Sequence, residues 1–419
     1  MTTLKYLICY IAISSMSFMS VAQSNNPLKQ NFSYLYDYDA TDLHPQFSVF
    51  NFSPDSSRLF VKVFPGEFVF KKVKGTSEMN CQVELAVYYD WELKQLADST
   101  SITFSDAASQ DPNRFLIATL DFKSDEFKST LLEISVIDVY GDKVYMRYIP
   151  CSPNKLQSPN SFFAQNNYDN LPLLQPYAAS GDSLAFFARN DHPKGVRVRY
   201  FENDFPVAAP PAQKGAFKKY NYATGRQSIY DFETTGYVTL PDPGLYHFQY
   251  DTLQKTGFTV FRFDDNYPKV RGLKNMMECM RYLVTKEEYD KMLSETNEKS
   301  AFEKFWIQAA GSMQQAKPLI NEYFTRVQNA NTYFLSYTEG WKTDRGMIYI
   351  IMGKPMRIEL DEGSETWTYE TYGNQHVKIV FEKVTNPFTE NDYQLVRSEL
   401  LDIPYKTAVE SWRSGIIQK

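Results

Sequence analysis

Glu339-Gly340-Trp341-Lys342-Thr343-Asp344-Arg345-Gly346, continued by Met347-Ile348-Tyr349-Ile350-Ile351-Met352 and closed by Gly353-Lys354-Pro355, is the densest run of special residues in the chain. Two glycines bracket a Trp and an Asp-Arg pair, and a continuous apolar run follows. Before the stretch, residues 318–334 repeat apolar side chains at helical spacing: Ile320, Phe324, Val327, Ala330 and Phe334, with Leu319 and Tyr323 beside them and Pro318 at the start. Beyond it, residues 357–360, 366–371 and 377–381 alternate as short strands, separated by Asp361-Glu362-Gly363-Ser364 and Gly373-Asn374. The run 347–352 reads as the first strand of that meander, and Gly340 as a left-handed turn after the helix. Helices first and a small antiparallel sheet after make residues 268–419 an α+β unit.

More helices precede the long one. Met276, Met277, Met280 and Leu283 recur at helical spacing. Thr285-Lys286-Glu287-Glu288 has the form of a capping box, and so does Ser300-Ala301-Phe302-Glu303, with Gly311 as a stop. A last helix is predicted over 404–412, ended by Gly415.

Upstream the pattern changes to period two. Residues 47–52, 59–63, 83–89, 115–120, 132–139 and 143–148 alternate and are punctuated by turns such as Ser53-Pro54-Asp55-Ser56 and Asp111-Pro112-Asn113. A polar stretch, 151–170, reads as a boundary. A second set of strands follows at 183–188, 196–201, 228–232, 237–240, 246–250 and 258–263, with Ala208-Ala209-Pro210-Pro211-Ala212-Gln213-Lys214-Gly215 as a long loop. Asp242-Pro243-Gly244-Leu245-Tyr246 resembles the tyrosine corner of immunoglobulin-like domains. The expectation is two antiparallel immunoglobulin-like β-sandwiches, at 30–155 and 165–265, ahead of the α+β unit. Aromatic content of 16% suits pleated packing surfaces.

The N-terminus reads as a secretory leader over 1–22. Lys5 is the only early charge, residues 6–19 are apolar or small, and Ser20-Val21-Ala22 offers a cleavage site before Gln23. No other stretch is apolar over about 18 residues, so no transmembrane segment is expected after cleavage. A net charge of −6 has the wrong sign for nucleic acid. Removing the leader removes Cys9 and leaves Cys81, Cys151 and Cys279, with no C-x-x-C spacing, so no metal site is expected. Cys81 sits in an alternating apolar run and reads as a small core residue. The four histidines are isolated, and no nucleophile elbow, phosphate loop or dinucleotide fingerprint is present.

At this point the residues resemble a family. Gly340-Trp341-Lys342-Thr343-Asp344 is similar to the signature of the GWxTD domain found in envelope proteins of Bacteroidetes and related bacteria. Phe302-Glu303-Lys304-Phe305-Trp306, Tyr323-Phe324-Thr325-Arg326-Val327 with Ala330-Asn331, Arg345-Gly346-Met347-Ile348-Tyr349-Ile350, Gly353-Lys354-Pro355, Trp367-Thr368-Tyr369 and Ser411-Trp412-Arg413-Ser414-Gly415 follow the pattern in order. The resemblance implies an envelope location and no particular reaction or cofactor.

Two readings of the signature stand side by side. In the first, Gly340, Trp341, Thr343, Asp344, Gly346, Gly353 and Pro355 are devices of the fold: Trp341 fills the gap between layers, Thr343 and Asp344 bind backbone amides, and Arg345 meets a buried carboxylate or spans carbonyls. In the second, Trp341, Lys342, Asp344, Arg345, Trp367 and Arg413 bind a partner, another envelope protein or polymer. A hydrolase using Asp344 with Glu339, Asp361 or Glu362 is the catalytic alternative.

Overall fold

The computed structural model describes residues 30–417 apart from 110, 112–113, 168–171, 203–204, 214–224, 232–235 and 372–374. The expected leader with its Ser20-Val21-Ala22 site, the Pro112-Asn113 turn, the 214–215 end of the long loop and the Gly373-Asn374 turn lie outside those residues.

The N-terminal part is built of mostly antiparallel sheets. Its first strands are β1 (Gln46–Ser53), β2 (Ser56–Val63), β3 (Lys71–Val73), β4 (Thr76–Tyr88), β5 (Leu96–Ala107), β6 (Leu116–Lys123), β7 (Thr130–Asp138) and β8 (Lys143–Cys151). They form the sheet β1-β2-β6 and a second sheet in which β4 pairs with β3, β5 and β7, and β7 with β8. Alternate residues of both sheets, among them Leu59, Val61, Leu120, Cys81, Val83, Leu85 and Ile134, bury into one core. The 12-residue β5 escaped the sequence reading because its Ser/Thr-rich face carries few apolar side chains.

The second set comprises β9 (Phe162–Asn166), β10 (Tyr177–Ala178), β11 (Ser183–Ala188), β12 (Gly195–Phe201), β13 (Arg226–Asp231), β14 (Val238–Thr239), β15 (Gly244–Gln249) and β16 (Phe258–Arg262). They form the sheets β10-β16-β15-β12-β13 and β14-β11-β9, with β10 parallel to β16. The polar stretch 151–170, expected as a boundary, is packed between the two sets over the residues described. Asn154, Gln157, Ser158 and Ser161 are buried and cross-link the two sets. Asn154 Nδ2 donates to Ser53 O at 2.8 Å, Arg189 to Asn154 O at 2.7 Å, and Gln157 Nε2 to Asp251 O at 2.8 Å. Polar composition here marks a hydrogen-bonded seam rather than a solvated linker.

The C-terminal part holds α1 (Leu273–Cys279), α2 (Lys286–Ser294), α3 (Glu298–Ala310), α4 (Met313–Tyr333), α5 (Asp344–Met352), the meander β17 (Arg357–Asp361), β18 (Ser364–Thr371), β19 (Gln375–Lys383) and β20 (Tyr393–Leu395), and α6 (Asp402–Arg413). The capping box at α2 is complete: Thr285 Oγ1 accepts from Glu288 N, and Glu288 from Thr285 N. The box expected at Ser300 is not a helix start, because Asn297 already caps α3 through Ser300 N at 3.1 Å. Gly311 ends α3 in the left-handed region at φ 85°.

The largest correction concerns 347–352, which is helix and not strand. Thr343 caps α5 by accepting from Gly346 N, Asp344 sits in the first turn, and Gly353 (φ 83°) ends it. A short apolar run buried on all sides has the same pattern in helix and strand. Residues 30–45 form a strap that includes two short helical turns, Ser33–Tyr36 and Tyr38–Ala40. Phe32, Leu35 and Tyr36 are buried in the C-terminal core. Phe32 N donates to Ile358 O at 2.9 Å, and Asn31 Oδ1 accepts from Ile358 N at 3.0 Å.

Candidate functional site

The signature is a junction of three backbone segments. Gly340 and Gly346 are there for close approach, not for a left-handed turn. A Cβ on Gly340 would lie 1.9 Å from Ala330 O of α4, and one on Gly346 would lie 1.9 Å from Gly340 O. Side chains at either position would push α4, the turn Gly340–Lys342 and α5 apart. Trp341 is buried in the gap this leaves. Its N–H donates to Asn331 Oδ1 at 3.0 Å, and its carbonyl accepts from the Tyr282 hydroxyl at 2.8 Å. Asn331, itself buried, also donates to Pro268 O at 2.9 Å, so one amide side chain ties α4 to the signature and to the entry of the helical unit.

Asp344 and Arg345 are neighbours that diverge. Arg345 turns inward. It donates to Glu365 Oε1 at 2.8 Å and to Asn391 Oδ1 at 2.5 Å, with its guanidinium 4.1 Å from the Tyr393 ring centroid. Glu365 also accepts from the Tyr36 hydroxyl at 2.9 Å and from Trp367 Nε1 at 3.1 Å. Every oxygen of this buried carboxylate is thus engaged, as burial of a charge demands. Burial, reinforced by the Glu365 charge, pushes the Tyr36 hydroxyl far above its ordinary range, so it stays a donor. The inward ion pair expected for Arg345 is present.

Asp344 turns toward the second β set. It accepts from Leu395 N at 2.9 Å and from both terminal nitrogens of Arg397, at 3.0 and 2.5 Å. The expected role in a turn toward a strand is replaced by a charge in the first turn of a helix. Arg397 reaches on to Ala209 O at 3.1 Å, and Ala208 N donates to Lys342 O at 2.8 Å. The long loop therefore docks on the signature.

The remaining predicted residues scatter. Trp367 is fully buried between Tyr36, Phe334 and Phe381. Lys342 pairs with Glu339 at 3.0 Å, and Glu339 also accepts from Thr338 Oγ1 at 2.8 Å. Arg413 belongs to another constellation, forking onto Glu288 at 2.8 and 2.9 Å and onto Leu283 O. Pro355 is buried just after α5, and Asp361 and Glu362 are exposed at the β17–β18 turn. Cys81, Cys151 and Cys279 are buried free thiols. Burial raises Cys81 and Cys151 to about 12, which removes thiolate character. Among the described residues no cluster of His, Cys, Asp and Glu could hold a metal ion, and no helix is long and apolar enough to cross a membrane. Arg397, Glu365 and Tyr36 carry no signal in the sequence, being joined to the signature only through the fold, and Asn331 stands in the family pattern without a role that spacing assigns.

Residues 244–414 match the family model of the GWxTD domain. The match opens at Gly244, the first residue of β15, upstream of the helical segment at 268. The matched residues thus take in the β15–β16 hairpin, whose His247 ring meets that of Phe388, between β19 and β20, edge to face at 5.2 Å. No curated protein matches the chain. The solved structure of red sea bream transglutaminase is similar over 53% of this chain and 31% of its own length, at 12% identity and a TM-score of 0.19. So slight a likeness carries no argument about fold or activity.

Proposed function

We propose that the protein is an exported, non-catalytic envelope protein of the Bacteroidetes type, a binding or scaffolding module whose partner is another envelope protein or polymer. Its architecture is then a leader over 1–22, two immunoglobulin-like β units and the GWxTD domain. The Tyr246 corner supports the immunoglobulin-like part of this reading: its hydroxyl accepts from Asp242 N at 3.0 Å and donates to Asp242 O at 3.1 Å. The observation that carries the functional part is the engagement of Asp344. Its carboxylate is held by Arg397 and the Leu395 amide, so its oxygens serve to orient a guanidinium toward the loop. The fit of the leader to export and the resemblance to envelope proteins support the location.

The test is a pull-down from the cell envelope with the mature chain, next to complementation by Asp344→Asn. The expected outcome is a reproducible partner, N-terminal sequence beginning at or near Gln23, and no turnover of envelope glycan or peptide by wild type for the variant to lose. Turnover of envelope glycan or peptide that a folded Asp344→Asn protein has lost would refute the proposal.

A further inference from the structure

The loop on the signature is held as a bound peptide would be. Residues 205–210 form no strand, yet Ala208 N donates to Lys342 O at 2.8 Å and the next carbonyl, Ala209 O, accepts from Arg397 at 3.1 Å. One donor and one acceptor of neighbouring residues are thus read by the GWxTD domain through the main chain alone. Phe205, three residues before the bonded amide, meets the Tyr337 ring edge to face at 4.8 Å. Val207 and Ala208 pack on the C-terminal core, and Pro211 is buried. The bonded positions are small, and two prolines follow, which suits an extended backbone of the polyproline type.

Asp344 has a part in this. Its two oxygens hold both terminal nitrogens of Arg397, which fixes the guanidinium with one N–H aimed at the loop carbonyl. Without an occupant, Lys342 O and that N–H would each lose a partner.

We infer that this seat, formed by Lys342, Arg397 and Tyr337, is a recognition site for an extended peptide of small residues and proline carrying an aromatic residue three positions ahead, and that residues 205–213 are its displaceable occupant in cis. The inference rests on the binding-module reading above and names the partner's chemistry. Recognition of this kind takes affinity from main-chain bonds and selectivity from one anchored ring. An occupant in cis lowers apparent affinity by the fraction of time the seat is open.

The test uses the mature full-length chain and a fluorescent synthetic copy of residues 205–213. The double variant Phe205→Ala/Ala208→Pro removes the anchor and the donated N–H of the resident loop. It should bind the peptide at least about tenfold more tightly than wild type, and adding Arg397→Ala should reverse the gain. A double variant with wild-type circular dichroism and melting that binds no better would overturn the inference. If it fails to fold, wild type serves: hydrogen exchange across 205–213 should rise under millimolar peptide, and no rise overturns the inference. Dimers that need the loop would assign the seat to a second copy and overturn a foreign peptide. Cleavage of the peptide would keep the seat and refute the non-catalytic reading, so the two failures are distinct.

Discussion

Asp344 and Arg345 are adjacent in the chain and each makes an ion pair, but the two pairs serve different parts of the molecule. Arg345–Glu365 lies wholly inside, closed over by Tyr36, Trp367, Asn391 and Tyr393. Asp344–Arg397 lies at the edge of the same domain and extends to a loop of the preceding β unit. The inner pair is almost fully closed off, so breaking it on one side leaves an uncompensated charge in low dielectric, whereas the outer pair keeps an edge to solvent, with side chains 13% and 9% exposed. The difference teaches that one signature contains both a lock for its own core and an arm toward a neighbour.

The largest effect should come from breaking the inner pair. Arg345→Ala should cost about 3–5 kcal/mol in denaturant unfolding of the C-terminal part, because Glu365 keeps only its Tyr36 and Trp367 donors. A cost as small as that of the outer pair would erase the contrast. Trp341→Ala, which removes a buried ring packed on Tyr282, should also cost about 3–5 kcal/mol.

Acid should act on the loop's side first. Burial holds the His247 ring down to about 4, and it is satisfied as a neutral ring by Thr259 Oγ1 at 2.8 Å and Lys255 O at 3.0 Å. The unfolded chain takes that proton near pH 6.5, so the unfolded state binds more protons between there and about 4. The His247 contribution is therefore complete above pH 6.5 and declines as pH falls toward 4, by up to about 3 kcal/mol. Melting temperature against pH for wild type and His247→Gln measures it, with a flatter curve expected in the variant.

Tyr36→Phe sharpens the comparison from the strap. It removes one donor to Glu365 and keeps the ring, and should cost about 2 kcal/mol in the same unfolding assay. A fragment starting at 268 lacks Phe32 and Tyr36, two aromatic side chains of the C-terminal core, and should be less stable than the full chain.

What the sequence made legible was local. The α2 capping box, the Gly311 stop and the Tyr246 corner are contacts within a few residues, so spacing carries them. Strands such as β2, β7 and β12 were legible because alternate side chains are buried and the period of two survives, whereas β5, with few apolar side chains, was not. What was not legible depended on burial from all sides or on distance in the chain. The run 347–352 lost its periodicity because every residue of it is buried, although Thr343, Asp344 and Gly353 already spelled out a helix start and stop. For the site, the inward turn of Arg345 was foreseeable from its type, since a guanidinium in an apolar stretch needs a carboxylate. Glu365, Tyr36 and Arg397 were not, because the pairs span 20, 309 and 53 residues.

The central claim is that Asp344 acts through Arg397 on the loop and leaves the core to Arg345. Hydrogen exchange across residues 205–213 in Asp344→Asn, measured beside wild type, tests it most directly. The account predicts faster exchange in that segment, with global unfolding shifted by only about 1 kcal/mol. Exchange in 205–213 equal to wild type, or a loss of stability like that of Arg345→Ala, would contradict it.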